Sequence, residues 1–176
     1  MVNYSDMKIK EIKENKKQYL PLLLLADEQE SMINLYIDRG TMYVLDDNGI
    51  KSVCVVTDEG KGVLEIKNIA TNPEDQGKGY GKALIDFIAA TYTGKYSILQ
   101  VGTGDSPLTI PFYEKCGFIR SHRIKSFFID NYDHPIYEAG TLLKDMIYLQ
   151  KKFDILTGLK AGDPSAKQQY CYCRLA

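Results

Sequence analysis

The chain is predicted to be a single α/β domain with a mixed, mostly antiparallel central sheet flanked by helices. Three observations carry this prediction. Residues 63–71 are apolar and β-branched enough for a buried strand, stop at Asn72-Pro73, and lead through glycines at 77, 79 and 81 into a helical pattern. Upstream, two strand-like runs are joined by Asp46-Asp47-Asn48-Gly49, which has hairpin turn chemistry. Downstream, Ile110 to Phe118 reads as a helix that ends at Gly117 and passes into further strands. At 176 residues, 44% hydrophobic and 26% charged, the chain has the size and apolar content for one core.

In chain order, residues 7–13 alternate as a strand, 16–26 and 28–39 read as helices, and Gly40 supplies the stop. Residues 41–45 and 50–57 are the hairpin strands, and Glu59-Gly60-Lys61-Gly62 turns the chain back into the strand at 63. Ala83, Leu84, Phe87, Ile88 and Tyr92 recur at helical spacing, and a strand follows at 96–102. Residues 118–129 and 145–152 read as two last strands, joined by a linker that carries Tyr132, His134, Tyr137 and Glu138. The expected domain is 1–153. Residues 154–176 lack a clear period and read as a C-terminal appendage.

The turn at 76–82 has the chemistry of an anion site. The first amides of a helix have no internal partner, glycines let a phosphate approach the backbone, and the positive end of the helix dipole favours its charge. The segment Gly77-Lys78-Gly79-Tyr80-Gly81-Lys82 lacks the third glycine of the Gly-x-Gly-x-x-Gly dinucleotide pattern. A P-loop would need glycine at Gln76 and a hydroxyl at Ala83. Gln76-Gly77-Lys78-Gly79-Tyr80-Gly81 instead resembles the Gln/Arg-x-x-Gly-x-Gly/Ala signature of the GNAT superfamily of N-acetyltransferases. Phe112-Tyr113-Glu114-Lys115-Cys116-Gly117-Phe118 resembles that family's Phe-Tyr-x-Lys-x-Gly-Phe block, in the order the family requires.

The resemblance implies a GNAT fold with splayed central strands, acetyl-coenzyme A (acetyl-CoA) as donor, no metal, and direct attack by a primary amine of a small molecule or peptide. It implies that Gln76, Gly77, Lys78, Gly79, Tyr80, Gly81 and Lys82 hold the pyrophosphate. Ile69, Ala70 and Thr71 would follow the acyl arm, with an amide near Ile69 or Ala70 meeting the thioester oxygen. Ser106 stands where the family often has an asparagine against pantetheine. Tyr113 aligns with the tyrosine that protonates the departing thiolate, the alternative being a helix aromatic packed on the core. Glu65 is the candidate base, or else a Lys67-paired carboxylate, with 65, 67, 69 and 71 on one face by period-two counting.

Asp27, Glu28 and Glu30 form an acidic corner between the first two helices, beside the expected acceptor cleft, and Tyr132, Asp133, Tyr137 and Glu138 are candidate lid residues. Net charge of −1 gives no support for nucleic-acid binding, and no apolar run is long enough for a membrane span. Four cysteines without metal-like spacing read as reduced thiols, consistent with a cytoplasmic protein. A homodimer is left open. The competing classes are a non-catalytic acetyl-CoA sensor and an interaction domain in which the glycines merely shape a turn.

Overall fold

The computed structural model describes residues 7–153; the appendage at 154–176 lies outside the described residues. The elements are β1 (Lys8–Ile12), α1 (Leu20–Leu23), α2 (Glu30–Asn34), β2 (Thr41–Asp46), β3 (Ile50–Asp58), β4 (Val63–Thr71), α3 (Tyr80–Tyr92), β5 (Ile98–Gly104), α4 (Thr109–Lys115), β6 (Ile119–Ile124), α5 (Phe127–Asn131), β7 (Tyr137–Glu138), β8 (Thr141–Leu142) and β9 (Met146–Lys152). Seven strands form one sheet in the order β1-β2-β3-β4-β5-β9-β6; β7 and β8 form a separate hairpin. Within the large sheet β4 and β5 pair in parallel, and their crossover is α3.

Two hydrophobic clusters sandwich the sheet. Leu64, Ile66 and Cys54 pack with Leu84, Ile85 and Ile88 of α3 and with Ile110 and Tyr113 of α4. On the other face Met42, Val44, Val53, Val55 and Ala70 meet Leu22 and Leu23 of α1 and Ile33, Tyr36 and Ile37 of the α2 segment. Because α1 has one turn, burial of Leu22 and Leu23 holds it rather than helix propensity, at about 1.5–3 kcal/mol for each buried side chain.

Three expectations are corrected by the structure. The helices expected at 16–26 and 28–39 are broken up. Lys16–Tyr19 is a 3₁₀ turn, because Pro21 has no amide and its ring clashes with the carbonyl four residues earlier. The α2 segment tightens into i→i+3 bonds at Leu35 and Tyr36. Gly40 is required by close approach rather than by a left-handed turn, since a Cβ there would lie 2.6 Å from Val55 Cγ1. The strand expected at 118–129 ends at Ile124, where the Asp145 carboxylate accepts the Ser126 amide (2.9 Å) and an Arg123 N–H (3.1 Å) and turns the chain into α5.

Candidate active site

Pairing of β4 with β5 ends at Ile66 opposite Val101, whereas β4 stays paired with β3 as far as Thr71 opposite Ser52. Beyond Ile66 the two parallel strands therefore part, and the outer edge of residues 67–71 faces a gap. Main-chain alternation decides which groups reach it. The Asn72 amide bonds Lys51 O (2.9 Å) and Ala70 O accepts the Ser52 hydroxyl (2.6 Å), so 68, 70 and 72 address β3. Ile69 and Thr71 then present their main-chain groups to the gap, which selects Ile69 over Ala70 for the amide expected there.

The C-terminal end of this edge runs into the glycine turn. Gly77 (φ +75°) and Gly79 (φ +90°) occupy the left-handed region, and a Cβ on either would meet nothing within 4 Å, so open space surrounds the backbone. Among the described residues the main-chain amides of Gly77, Gly79 and Gly81 make no hydrogen bond. A pyrophosphate fits this start of the thirteen-residue α3. Gly81 differs from its neighbours, because its Cβ position lies 3.3 Å from Phe112, so its small size lets α3 pack on α4.

Side chains around the turn are already engaged. Gln76 Nε2 donates to Thr71 O (3.3 Å), and the Lys78 ammonium lies 2.8 Å from Asp75. Lys78, with Lys51 at 3.4 Å, holds the Asp75 carboxyl below the usual range. Tyr80 is buried and donates to Asp47 (2.6 Å), and Lys82 pairs with Asp86. Lys78 and Tyr80 are thus placed to offer backbone rather than side chain to an anion.

Tyr113 lies in the α3–α4 core, edge-on to Phe112 (5.1 Å) and Phe118 (5.8 Å), and its hydroxyl makes no hydrogen bond among the described residues. Burial pushes the phenol well above its ordinary value, with Cys54, Cys116 and Glu138 adding to the shift, so it is neutral at pH 7. Ser106 is buried, and its Oγ accepts the Leu108 amide (3.1 Å) in the turn before α4. Cys54 and Cys116 are buried, as expected, and form no disulfide among the described residues.

Period-two counting fails on β4. A bulge opposite Val55 and Val56 adds Lys67 to the strand, so Glu65 and Asn68 both turn away from the face of Leu64, Ile66 and Ile69. Glu65 is 5% exposed. Its two oxygens are taken by Lys67 Nζ (2.7 Å) and Gln100 Nε2 (2.9 Å), and Gln150 bonds Gln100 in turn (2.7 Å).

On this second face the acidic corner and the distant linker meet. Tyr132 donates to Asp27 (3.1 Å), as does Tyr36 (3.3 Å), and Gln29 Oε1 accepts the Asp133 amide (3.0 Å). Asn68 Nδ2 donates to Leu23 O and to the Tyr36 hydroxyl, both at 3.0 Å. Tyr36 and Asn68 were missed from sequence; the available signal was an amide inside an apolar strand. Burial raises the Asp27 carboxyl above the usual carboxylate range, against the lowering effect of its hydrogen bonds. Of the other acids, Glu30 pairs with Lys17 (3.5 Å), Glu28 lies 3.8 Å from His134, and Asp133 bonds the His134 ring.

A family profile described as an acetyltransferase (GNAT) domain matches residues 38–120. A Bacillus subtilis (strain 168) protein named as the uncharacterized N-acetyltransferase YvbK is 31% identical over 151 residues, covering 84% of this chain and 97% of that protein. A GNAT family acetyltransferase from Elizabethkingia anophelis, solved with acetyl-CoA bound, has TM-score 0.79 and 32% identity over 84% of this chain and 99% of its own. An IAA acetyltransferase from Bacillus cereus ATCC 14579 has TM-score 0.77 and 37% identity over 83% of this chain and 99% of its own. A Bacillus subtilis acetyltransferase in complex with CoA has TM-score 0.76 and 30% identity over 83% of this chain and 98% of its own. With strands that part beyond Ile66 and a bare-backbone glycine turn at the end of β4, the chain belongs to the GNAT family of N-acetyltransferases.

Proposed function

We propose that the chain transfers an acetyl group from acetyl-CoA directly to the primary amine of a small molecule or peptide. The observation that carries this reading is the continuity of the β4 edge past Ile66 with the open turn at Gly77 and Gly79, one groove with an amide edge and an anion site. Relatives solved with acetyl-CoA and with CoA support the choice of donor. Acetyl-CoA supplies an activated thioester, and the chain supplies the rest. The turn at 76–82 binds the pyrophosphate, Ser106 borders the pantetheine arm, and the Ile69 amide stabilises charge developing on the thioester oxygen.

Tyr113, which stays protonated at pH 7, supplies the proton to the leaving thiolate. The amine loses its proton through water toward Glu65, the strand carboxylate on the acceptor face. Buried, unpaired Cys54 and Cys116 support a reducing compartment, the cytoplasm. The domain of residues 1–153 carries all these roles. Edge strand β6, exposed at every position, supplies a surface on which a second copy can pair.

Tyr113→Phe tests the assignment, because it keeps the ring and its packing and removes the proton. The single-turnover rate should fall about 10² to 10⁴-fold with the acetyl-CoA Kd unchanged. An unchanged rate would return Tyr113 to a packing role.

A further inference from the structure

The hydrogen-bond chain at the α1–α2 corner has a fixed direction. Leu23 O can only accept, so the amide nitrogen of Asn68 must face it, and the same nitrogen donates to Tyr36. Tyr36 therefore donates its own O–H to Asp27, and Tyr132, distant in sequence, does the same. One acceptor and one charge are left over. Asn68 Oδ1 is buried with no hydrogen-bond partner, on a residue 3% exposed, a state that costs free energy until a donor arrives. Asp27, half-buried, has no ion pair among the described residues, whereas Glu28, Glu30 and Asp133 are each matched to a base.

We propose, on the basis of the acetyl-transfer reading above, that Asp27 and Asn68 receive the N–H groups of the acceptor, which is a primary amine with a single positive charge and an apolar body. Both side chains hydrogen-bond the one Tyr36 oxygen, so they flank a common spot, and Asn68 precedes the Ile69 amide at the gap. An amine held there meets the Asp27 carboxylate and Asn68 Oδ1, while the O–H groups of Tyr36 and Tyr132 are already turned to Asp27. The bound ammonium first loses a proton through water toward Glu65, which frees its lone pair. As that lone pair attacks the acetyl carbon, the nitrogen gains positive charge, which the Asp27 carboxylate stabilises. The nitrogen then gives up a second proton to water, and the C–S bond breaks with the electron pair leaving on sulfur, where Tyr113 supplies a proton.

One unmatched carboxylate provides for one cation. The surroundings are apolar and aromatic: Phe128, tilted, and Phe127, edge-on, pack against Tyr132 at 5.4 and 6.5 Å, and Leu25 and Ile129 are about half exposed nearby in sequence. Other charged or titratable groups acting on Asp27 are Tyr36, Tyr132 and Lys67, with Glu28 and the raised His134 beyond Tyr132.

The test uses benzylamine, its neutral isostere benzyl alcohol, and putrescine, with wild type and Asp27→Asn. Binding is measured in the presence of CoA at pH 7, and turnover is measured with acetyl-CoA. Wild type should bind benzylamine better than benzyl alcohol and acetylate benzylamine in preference to putrescine. Asp27→Asn should lose about tenfold to a hundredfold in benzylamine kcat/KM, chiefly through KM, and should lose the preference for the amine over the alcohol while its acetyl-CoA Kd holds. A structural role would not move that amine-to-alcohol ratio. An unchanged ratio in Asp27→Asn, or a wild-type preference for putrescine, overturns the proposal. Benzylamine binding that follows the ratio, with no acetyl transfer to any amine, would uphold the docking site and overturn the acetyl-transfer reading instead.

Discussion

The proposed donor end and the proposed acceptor corner of this molecule are built in opposite ways. The donor end is a continuous run, from Ile69 through Lys82, that offers main-chain amides at a strand edge and a helix start. The acceptor corner is made of side chains from three places, with Tyr132 reaching Asp27 across 105 residues of sequence. A backbone site depends on glycine spacing and tolerates change in its neighbours. A side-chain site depends on each hydrogen bond that aims its members, so losing one partner leaves another buried and unsatisfied.

The largest expected effect is at the donor end. Gly79→Glu places a charged side chain at a left-handed backbone position and where the phosphate would lie. With acetyl-CoA a hundredfold above its Kd, wild type should gain about 2.7 kcal/mol of stability, seen as a rise in Tm, and the variant none. An undiminished shift would break the anion-site half of the contrast.

At the acceptor corner Tyr36→Phe sharpens the comparison. It removes the proton held toward Asp27 and the acceptor for Asn68 without emptying the core. Stability should fall by roughly 1–3 kcal/mol in denaturant unfolding, and the amine KM should rise while the acetyl-CoA Kd is kept. A change in acetyl-CoA affinity instead would show that the two ends are not separable.

The smallest effect concerns the link between the linker and the corner. Hydrogen bonding to Asp133, aided by Glu28, raises the exposed His134 imidazole above its ordinary value. A raised histidine stabilises fully below its unfolded pKa, and that contribution disappears as pH rises through the folded one. Titration by NMR should show the raised value in wild type and a return toward normal in Asp133→Asn. No difference between the two would remove the ion pair from the account of the corner.

The same contrast explains what could be read from the sequence. The hairpin turn, the strand halted at Pro73, the glycine turn and the helix ending at Gly117 are local signals, and each stands where expected. The Asp27 to Tyr132 contact is a product of tertiary packing, so the sequence named both groups without their bond. The bulge at Lys67 arises from the register of β3 against β4, and it moved Asn68 onto the face of Glu65 against simple alternation. Pro21 was visible, yet its breaking of the first helix was outweighed by the apolar pattern around it.

The most direct measurement mixes the protein with acetyl-CoA and a panel of primary amines and follows thiol release alongside the N-acetyl product by mass spectrometry. The account predicts thiol and acetylated amine in equal amounts, with benzylamine ahead of putrescine. Tight acetyl-CoA binding with no thiol released for any amine would contradict it and mark the chain as a sensor of acetyl-CoA.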